Sequence, residues 1–289
     1  KHLPGGVPRG STSPTAAMWK LAAAAGAGAA STALYWRWSV QSSRPLPRPH
    51  GPGEGGRTAV VVGATGATGR QVVRELLASD RWSRVTAISR RPQDLGEGLG
   101  PQEQAKLQQE VLSFSEQDAE ALQQLCQGRT ALFICLGTTR AAAGSPAAFK
   151  EVEVGFTKFA AEAARKAGVE HALVVSAQGA DASAWVPSER IHPLLYVRTL
   201  GEKEQAVLEQ GFPRTSVFRP GVLNRLTSDR PSERLLNYVG LGLRVDTLAR
   251  CMVRAAESVQ ERTDEPPAFY EGNNLLRRCG SFDAAPPAK

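Results

Sequence analysis

Acidic side chains are absent from the start of the chain, because residues 1–53 contain neither aspartate nor glutamate. Six lysines and arginines lie in the same segment, and beyond it 29 basic residues (35 less 6) are matched by 28 acidic ones. The formal net charge of +7 therefore comes mainly from the first 53 residues. This distribution argues against a nucleic-acid-binding protein that is basic throughout, and it predicts a basic leader before a nearly neutral domain.

Cysteine, histidine and aromatic residues are also scarce. The 4 cysteines are spaced too widely for a C-x-x-C or zinc motif, so we expect free thiols in a reducing compartment. The 4 histidines are scattered, and we expect His171 to be an ordinary surface or turn residue. Aromatic residues make up 6% of the chain and do not alternate with basic clusters past residue 58, which predicts no nucleic-acid partner.

A long hydrophobic run is missing from the leader as well. The uncharged segment between Lys20 and Arg37 has 16 residues. As a helix it would span ~24 Å, against a hydrocarbon core of ~30 Å. We expect residues 20–38 to be a marginal signal anchor or organelle-targeting segment that associates with a membrane, with a disordered low-complexity extension as the alternative. The predicted location is cytoplasmic, with this segment as a tether to a mitochondrial or endoplasmic reticulum membrane.

An apolar run that stops at glycines opens the organised part of the chain, TAVVVGATGATGRQVVRELLAS. Residues 60–62 are predicted to be a strand buried on both faces, because they are apolar without alternation. Gly63, Gly66 and Gly69 come next, and a helix follows them. Glycines at this spacing let the backbone turn tightly and let a pyrophosphate approach the amides at the positive helix end. The pattern predicts dinucleotide binding at these glycines, and a tight turn without a ligand is the alternative.

Two arginines end the second predicted strand, at residues 85–89. An NAD-binding protein would carry an acidic residue about twenty residues past the last glycine of the loop, to bind the ribose hydroxyls. Arg90 and Arg91 stand there instead, and a guanidinium binds a 2′-phosphate in a bidentate fashion. The sequence therefore predicts NADPH rather than NADH, and a pair of solvated surface arginines is the alternative.

Strands and helices alternate through the next part of the chain. Further strands are predicted at residues 111–114, 131–137, 172–179 and 215–221, and helices at residues 116–126 and 149–167. This alternation predicts an α/β fold with a Rossmann-type doubly wound parallel sheet, and residues 223–242 are expected to form a small C-terminal substrate lobe. Ligands of such sheets bind at the carboxyl ends of the strands, where Leu136, Gly137 and Ser176 are expected.

Composition and pattern together divide the chain into three parts. Residues 1–57 are the leader, which ends in a linker rich in proline and glycine. Residues 58–280 are predicted to be one NAD(P)-binding Rossmann domain, a size that suits a single α/β unit. Residues 281–289 are predicted to be a disordered tail.

Six motifs carry a resemblance to a known family: GATGATGR, SRR, CLGTTR, VVSAQGAD, YVRTLGEKE and VFRPGVL. In this order and spacing they resemble the atypical short-chain dehydrogenase/reductase family, in the group of the HIV Tat-interacting protein 2 oxidoreductase. The resemblance covers residues 58–280 and leaves the leader out. It implies a Rossmann domain that binds NADPH, and it implies nuclear import receptors as partners of a regulatory protein. The cofactor contacts that it implies are Thr65, Gly66, Ala67, Thr68, Arg90, Arg91, Leu136, Gly137, Tyr196 and Arg230.

The resemblance also implies a catalytic tyrosine and serine, at Tyr196 and Ser176. Reductases of this superfamily have a lysine one helical turn after the tyrosine, which lowers the pKa of the tyrosine and binds the ribose. Leu200 occupies that position, and Lys203 lies seven residues after the tyrosine. Ala177 replaces a second serine that the family often has. Two hypotheses follow: an NADPH-binding, cofactor-dependent regulator with an impaired Tyr-x-x-x-Lys site, or an active NADPH-dependent carbonyl reductase of unknown substrate.

Overall fold

The computed structural model describes residues 56–187, 194–224, 242–258 and 266–281. The strands are β1 (Arg57–Val62), β2 (Trp82–Ser89), β3 (Leu107–Val111), β4 (Ala131–Ile134), β5 (His171–Val175), β6 (Arg214–Arg219), β7 (Leu223–Asn224), β8 (Leu243–Arg244) and β9 (Ala268–Glu271). The helices are α1 (Ala67–Ala78), α2 (Pro101–Lys106), α3 (Ala119–Cys126), α4 (Arg140–Ala143), α5 (Pro146–Lys150), α6 (Phe156–Lys166), α7 (Leu195–Leu208), α8 (Val245–Glu257) and α9 (Asn273–Ser281).

Seven strands form one parallel sheet in the order β3-β2-β1-β4-β5-β6-β9. The chain therefore runs outward from β1 to one edge and returns to β4 on the other side of β1. Val60 shows the central position of β1, since it is in register with Thr86 of β2 and Leu132 of β4. The predicted doubly wound parallel sheet is confirmed, and the crevice at its switch point lies between β1 and β4.

Helices cover both faces of the sheet, which explains the unbroken apolar sequence of β1. On one face, Val72 and Leu76 of α1 pack in the same core cluster as Leu248 and Met252 of α8. On the other face, α3 and α6 close a second core cluster. All four residues from 59 to 62 are fully buried as a result, because neighbouring side chains of a strand enter opposite layers.

The third strand differs from the prediction. It runs over residues 107–111 rather than 111–114, and its sequence LQQEV is mostly polar. This strand lies at an edge of the sheet and is only partly buried, so it has no apolar run to reveal it. Phe114 adopts a φ of 62° beyond the strand and stacks on Phe156 of α6, with 5.5 Å between ring centroids.

The expectation of a surface histidine at residue 171 is wrong. His171 is the first residue of β5, is 4% exposed, and has its Nε2 atom 2.9 Å from Ser216 Oγ of β6. Strand β5 lies inside the sheet between β4 and β6, so its first residue is covered although a glutamate precedes it in the chain.

Several predictions fall outside the described residues. They concern the leader and its linker up to residue 55, Arg230, most of the expected substrate lobe, and the tail from residue 282. The proposed division of the chain into leader, domain and tail stays a prediction. The small parallel pair of β7 and β8 borders the expected substrate lobe at residues 223–224 and 243–244.

Candidate nucleotide and reductase site

The glycine loop after β1 is packed so closely that side chains would not fit in it. Gly63 has a φ of +79°, and a Cβ atom there would lie 2.8 Å from the backbone of Cys135. A Cβ atom at Gly69 would lie 2.1 Å from the carbonyl oxygen of Gly63. The loop also joins neighbouring strands, since the backbone N–H of Gly63 donates to the Ile88 carbonyl at 3.1 Å. The glycines thus bring the first turn of α1 against the carboxyl ends of β2 and β4.

The start of α1 faces outward from this loop. Gly66 is its N-cap residue, has no side chain to cap the helix, and is exposed together with Ala67. Thr65 and Thr68 are half-buried beside them. The first amides of a helix have no intrahelical acceptor and carry partial positive charge, so this uncapped end fits the pyrophosphate of a dinucleotide.

Arg90 and Arg91 lie just past the carboxyl end of β2, next to the glycine loop of β1. Both side chains are exposed. The guanidinium of Arg90 lies over the ring of Phe156, 5.4 Å from its centroid, and Ser89 Oγ donates to the Arg91 carbonyl at 2.8 Å. The two cations therefore lie at the ligand-binding edge of the sheet, and neither side chain is buried.

Two buried charged side chains bind the backbone of the β4 loop, which is defined here as residues 136–138. Lys203 Nζ of α7 donates to the Leu136 carbonyl at 2.6 Å, and the Thr138 amide donates to Glu153 Oε1 at 2.7 Å. Lys203 and Glu153 also pair with each other at 3.0 Å, with their side chains only 1% and 2% exposed. Leu136 is buried, and Gly137 between the two held residues is exposed.

Tyr196 lies in the first turn of α7 and is 41% exposed. Its ring stacks on Phe149 of α5 with 6.0 Å between centroids and an interplanar angle of 28°. Leu200, one turn later, is 3% exposed and forms an apolar cluster with Phe149 and Ala180. The position of the expected lysine is thus filled by a packed hydrocarbon side chain.

The hydroxyl of Ser176, just past β5, points into a buried network of charges. Ser176 Oγ donates to Glu204 Oε1 of α7 at 2.5 Å. Arg219 of β6 binds both oxygens of Glu204, at 2.9 Å and 2.6 Å, and lies 3.4 Å from Glu271 of β9. Burial lowers the pKa of Arg219, but its hydrogen bonds to the two carboxylates raise the pKa above its ordinary value overall.

The structure brings most of the predicted site residues to one edge of the sheet. The glycine loop, the two arginines, the β4 loop, Ser176 and Tyr196 all follow carboxyl ends of strands or begin the next helix. Arg230 lies outside the described residues. Four residues were missed: Lys203, Glu153, Glu204 and Arg219. Lys203, Glu204 and Arg219 lie within the quoted motifs YVRTLGEKE and VFRPGVL, but a motif does not show that a charge is buried. A further signal is charge within an otherwise apolar face, since lysine and glutamate are seldom buried unless paired.

Together, the uncapped helix, the tight glycine loop and the switch point define a dinucleotide-binding protein of the Rossmann type. A family model described as NAD(P)H-binding matches residues 63–258. The chain belongs to this NAD(P)H-binding family. The match starts at the first glycine of the loop and ends just after α8, so it covers the site described above.

Curated relatives support the same assignment. The chain is 32% identical over 235 residues to Protein FMP52-1, mitochondrial, of Scheffersomyces stipitis, a match that covers 75% of this chain and 96% of the relative. It is 37% identical over 169 residues to Protein HTATIP2 of Rattus norvegicus, which covers 58% of this chain and 63% of the rat protein, less than two thirds of its length. The resemblance predicted from the six motifs is confirmed by these relatives.

Solved structures share the fold at low identity. MoeE5 in complex with UDP-glucose and NAD matches with a TM-score of 0.54 and 20% identity, over 74% of this chain and 75% of that one. UDP-glucuronic acid 4-epimerase from Bacillus cereus in complex with NAD matches with a TM-score of 0.56 and 14% identity, over 74% and 77%. At these identities the likeness concerns the fold alone.

The prediction of a cytoplasmic location is wrong by comparison with the relatives. The FMP52 proteins of Scheffersomyces stipitis, Lodderomyces elongisporus and Debaryomyces hansenii are all named mitochondrial. Within residues 56–187, 194–224, 242–258 and 266–281, no helix is both long and apolar enough to span a bilayer. Residues 20–38, the predicted membrane-associated segment, are outside these ranges.

Proposed function

We propose that the protein is an NADPH-binding, atypical short-chain dehydrogenase/reductase-like regulator whose hydride-transfer site is impaired. One observation carries this proposal: Leu200 is packed against Phe149 and Ala180 at the position where the Tyr-x-x-x-Lys motif needs an ammonium. A buried leucine offers neither charge nor hydrogen bond to a ribose or to Tyr196. In reductases of this superfamily the ammonium lowers the pKa of the tyrosine from the model-peptide value near 10, at which a tyrosine is a weak proton carrier at neutral pH.

The state of Ser176 supports the same proposal. Its hydroxyl hydrogen is directed to Glu204, which Arg219 holds in a bidentate pair. To orient a substrate carbonyl, Ser176 would have to withdraw this hydrogen from a buried carboxylate. Such a charge-assisted bond is stronger than a bond between neutral groups, so replacing it with a bond from Ser176 to a substrate carbonyl is unfavourable.

NADPH, when bound, would offer the hydride of its nicotinamide ring to any substrate that the site could activate. The parts of this chain that would hold it are the uncapped start of α1, where Gly66 and Ala67 are exposed, for the pyrophosphate, and the β4 loop for the nicotinamide side. A ligand that binds only the folded state stabilises that state by mass action. A regulator of this kind would use the nucleotide to order the surface around Tyr196 for a partner.

The choice of NADPH over NADH rests on Arg90 and Arg91. Both side chains are exposed at the end of β2, where they are available to a 2′-phosphate. The change of both residues to serine is expected to weaken NADPH binding about tenfold to a hundredfold and to leave NADH binding nearly unchanged. Calorimetric titration of both nucleotides measures this difference. Equal affinity of the unaltered protein for NADPH and NADH would contradict the assignment.

Leu200→Lys tests the proposed impairment. If the missing ammonium limits the chemistry, this variant gains NADPH oxidation with a panel of small aldehydes and ketones, while the parent protein has little. Tyr196→Phe in the Leu200→Lys background is the matched control, because it removes the hydroxyl and keeps the ring on Phe149. NADPH-dependent thermal stabilisation that is the same in the parent and in Tyr196→Phe supports a binding function.

An active NADPH-dependent carbonyl reductase is the second candidate. The exposure of Tyr196 favours it, since 41% of this residue is accessible in the first turn of α7. Turnover by the unaltered protein that is abolished by Tyr196→Phe would select this candidate over the regulator.

The resemblance implies a nuclear import receptor as partner, whereas the relatives named mitochondrial favour a mitochondrial location. A leader without acidic residues is typical of mitochondrial transit peptides. Fluorescence imaging of the full chain beside a chain that lacks residues 1–55 tests the location. A purified import receptor tested with and without NADPH examines the partner directly.

A further inference from the structure

Lys203 and Glu153 are the most deeply buried pair of opposite charges among the described ion pairs, at 1% and 2% exposure. Burial of two charges costs several kcal/mol for each ion before their attraction offsets the loss of water. A buried ion pair is therefore poor evidence for stability, and its geometry is the better guide to what it does. Here every remaining bond of the pair goes to the β4 loop.

Each charge holds one side of the exposed Gly137. The ammonium of Lys203 binds the carbonyl that precedes it in the chain, from Leu136, and the carboxylate of Glu153 binds the amide that follows it, from Thr138. The 3.0 Å contact between the two charges closes the arrangement into a ring. Together these bonds determine the direction in which Gly137 presents its backbone at the ligand edge.

Local backbone geometry brings both residues to this place. Glu153 lies in a π-helical turn, Glu151–Gly155, between α5 and α6, and such turns are frequent at functional sites. Lys203 lies one helical turn beyond Leu200, on the same side of α7. Helix α7 packs closely against the loop after β5, and the absence of a side chain at Gly201 permits this contact. A Cβ atom there would lie 2.0 Å from the Ala182 amide nitrogen.

We infer that Lys203 and Glu153 are positioning residues that set the β4 loop in its nucleotide-binding form before the nucleotide arrives. This inference rests on the proposed nucleotide binding and adds a residue pair to it. Lys203 lies one helical turn after the motif position at Leu200, and it binds the protein backbone rather than the ribose. A loop set in advance loses less conformational freedom on binding, which raises affinity without any contact between the charges and the ligand.

The double change Lys203→Met and Glu153→Met tests the inference, because it removes both charges and leaves neither one buried alone. Apolar replacement of a buried pair often preserves stability. We expect the variant to melt within a few degrees of the parent and to bind NADPH and NADH about tenfold more weakly, to the same extent for both. Equal loss distinguishes a loop effect from the selective loss expected at Arg90 and Arg91.

Lys106→Met is the matched control. Lys106 Nζ also donates to two backbone carbonyls distant in the chain, at Leu77 and Ser79, but at the far end of α1. This variant is expected to bind nucleotide as the parent does. Nucleotide affinity of the double variant within about twofold of the parent would overturn the inference. Absence of nucleotide binding by the parent would instead refute the proposed function.

Hydrogen exchange of the unaltered full chain provides a second test that needs neither folding of a variant nor a ligand. The Thr138 amide donates to a carboxylate that is almost fully buried, so it should exchange slowly in the nucleotide-free protein. Exchange of this amide at the rate of an unstructured peptide, with protection only after NADPH is added, would overturn the inference.

Discussion

The glycine loop with α1 and the β4 loop with α7 lie at the same edge of the sheet, yet they use their polar groups in opposite ways. In the first region the polar groups face outward: the N-terminus of α1 is uncapped, and Gly66 and Ala67 are exposed. In the second region the polar groups are paired inside the protein, Lys203 with Glu153 and Ser176 with Glu204.

In the proposed function, this difference means that nucleotide binding and hydride transfer have separate structural requirements. Binding needs exposed backbone amides and space for phosphate oxygens, and the first region keeps both. In the proposed function, proton transfer needs an ammonium beside Tyr196 and a serine hydroxyl that reaches the substrate side, whereas Lys203 and Ser176 direct these two groups into the interior. We therefore propose that the protein combines a dinucleotide-binding loop with a reductase region whose polar groups form internal pairs.

The largest expected loss of stability comes from adding a side chain to the glycine loop of the first region. In Gly69→Ala the new methyl group would meet the Gly63 carbonyl oxygen at 2.1 Å, and we expect a loss of about 3 kcal/mol in the free energy of unfolding. Gly66→Ala is the control, because a Cβ atom at Gly66 would lie 3.3 Å from the same oxygen and the φ of Gly66 is −69°. Urea unfolding of both variants measures the difference. Equal stability of the two would contradict the close packing described for this loop.

Breaking the Ser176–Glu204–Arg219 network of the second region should destabilise the protein while sparing nucleotide binding. Arg219→Met leaves the buried carboxylate of Glu204 without its bidentate partner, and we expect a loss of about 3 kcal/mol in unfolding free energy. NADPH affinity of the folded variant should stay within about twofold of the parent, because the network lies apart from the phosphate-binding loop. A tenfold loss of affinity without a loss of stability would contradict this prediction and would show that the Arg219 network, like the Lys203–Glu153 pair, supports nucleotide binding. Glu204→Gln, which removes the charge and keeps an acceptor for Ser176, should lose less stability.

His171 lies at the opposite end of the sheet from both regions, and it should make the stability of the protein depend on pH. Burial, with the nearby charges of Arg214 and Arg57, lowers the pKa of His171 well below its ordinary value. The unfolded chain therefore binds a proton below about pH 6.5 that the folded chain does not, so stability falls as the pH is lowered through this value. The slope is at most about 1.4 kcal/mol per pH unit for one proton. His171→Gln should remove this component from urea unfolding measured between pH 7 and pH 5, and an unchanged slope would contradict it.

The smallest expected effect concerns the cysteines, which are all free thiols. Burial raises the pKa of the Cys126 thiol to about 12, and burial raises that of Cys135 to about 12 even though the nearby Lys203 acts to lower it. At pH 8 both thiols should therefore react slowly with a disulfide reagent in the folded protein. Cys135 directly precedes the β4 loop, so its reaction rate should rise when the Lys203–Glu153 pair is removed, because greater access to the thiol outweighs the loss of the charge that lowers its pKa. The rate of Cys126 should stay constant. Equal acceleration of both would indicate general loosening.

The predicted and observed strand boundaries show which strands a local sequence pattern can locate. The buried strands β1 and β4 to β6 were placed within a few residues, since runs of apolar residues between glycines or charges are visible in any short window. The edge strand β3 was misplaced and β9 was missed, because an edge strand is only partly buried and its sequence need not be apolar. The same limit applies to the site, where the outward-facing residues were predicted and the buried charges were not.

The sequence by itself determined the dinucleotide loop, the alternation of the buried strands with helices, and the absence of a lysine four residues after Tyr196. These are properties of neighbouring residues, since glycine spacing, apolar runs and helical periodicity act over a single turn or strand. Only the tertiary structure decided where Lys203 and the hydroxyl of Ser176 point. Their partners are 50 and 28 residues away in the chain, and a charge enters the interior only where a folded neighbour supplies the opposite charge.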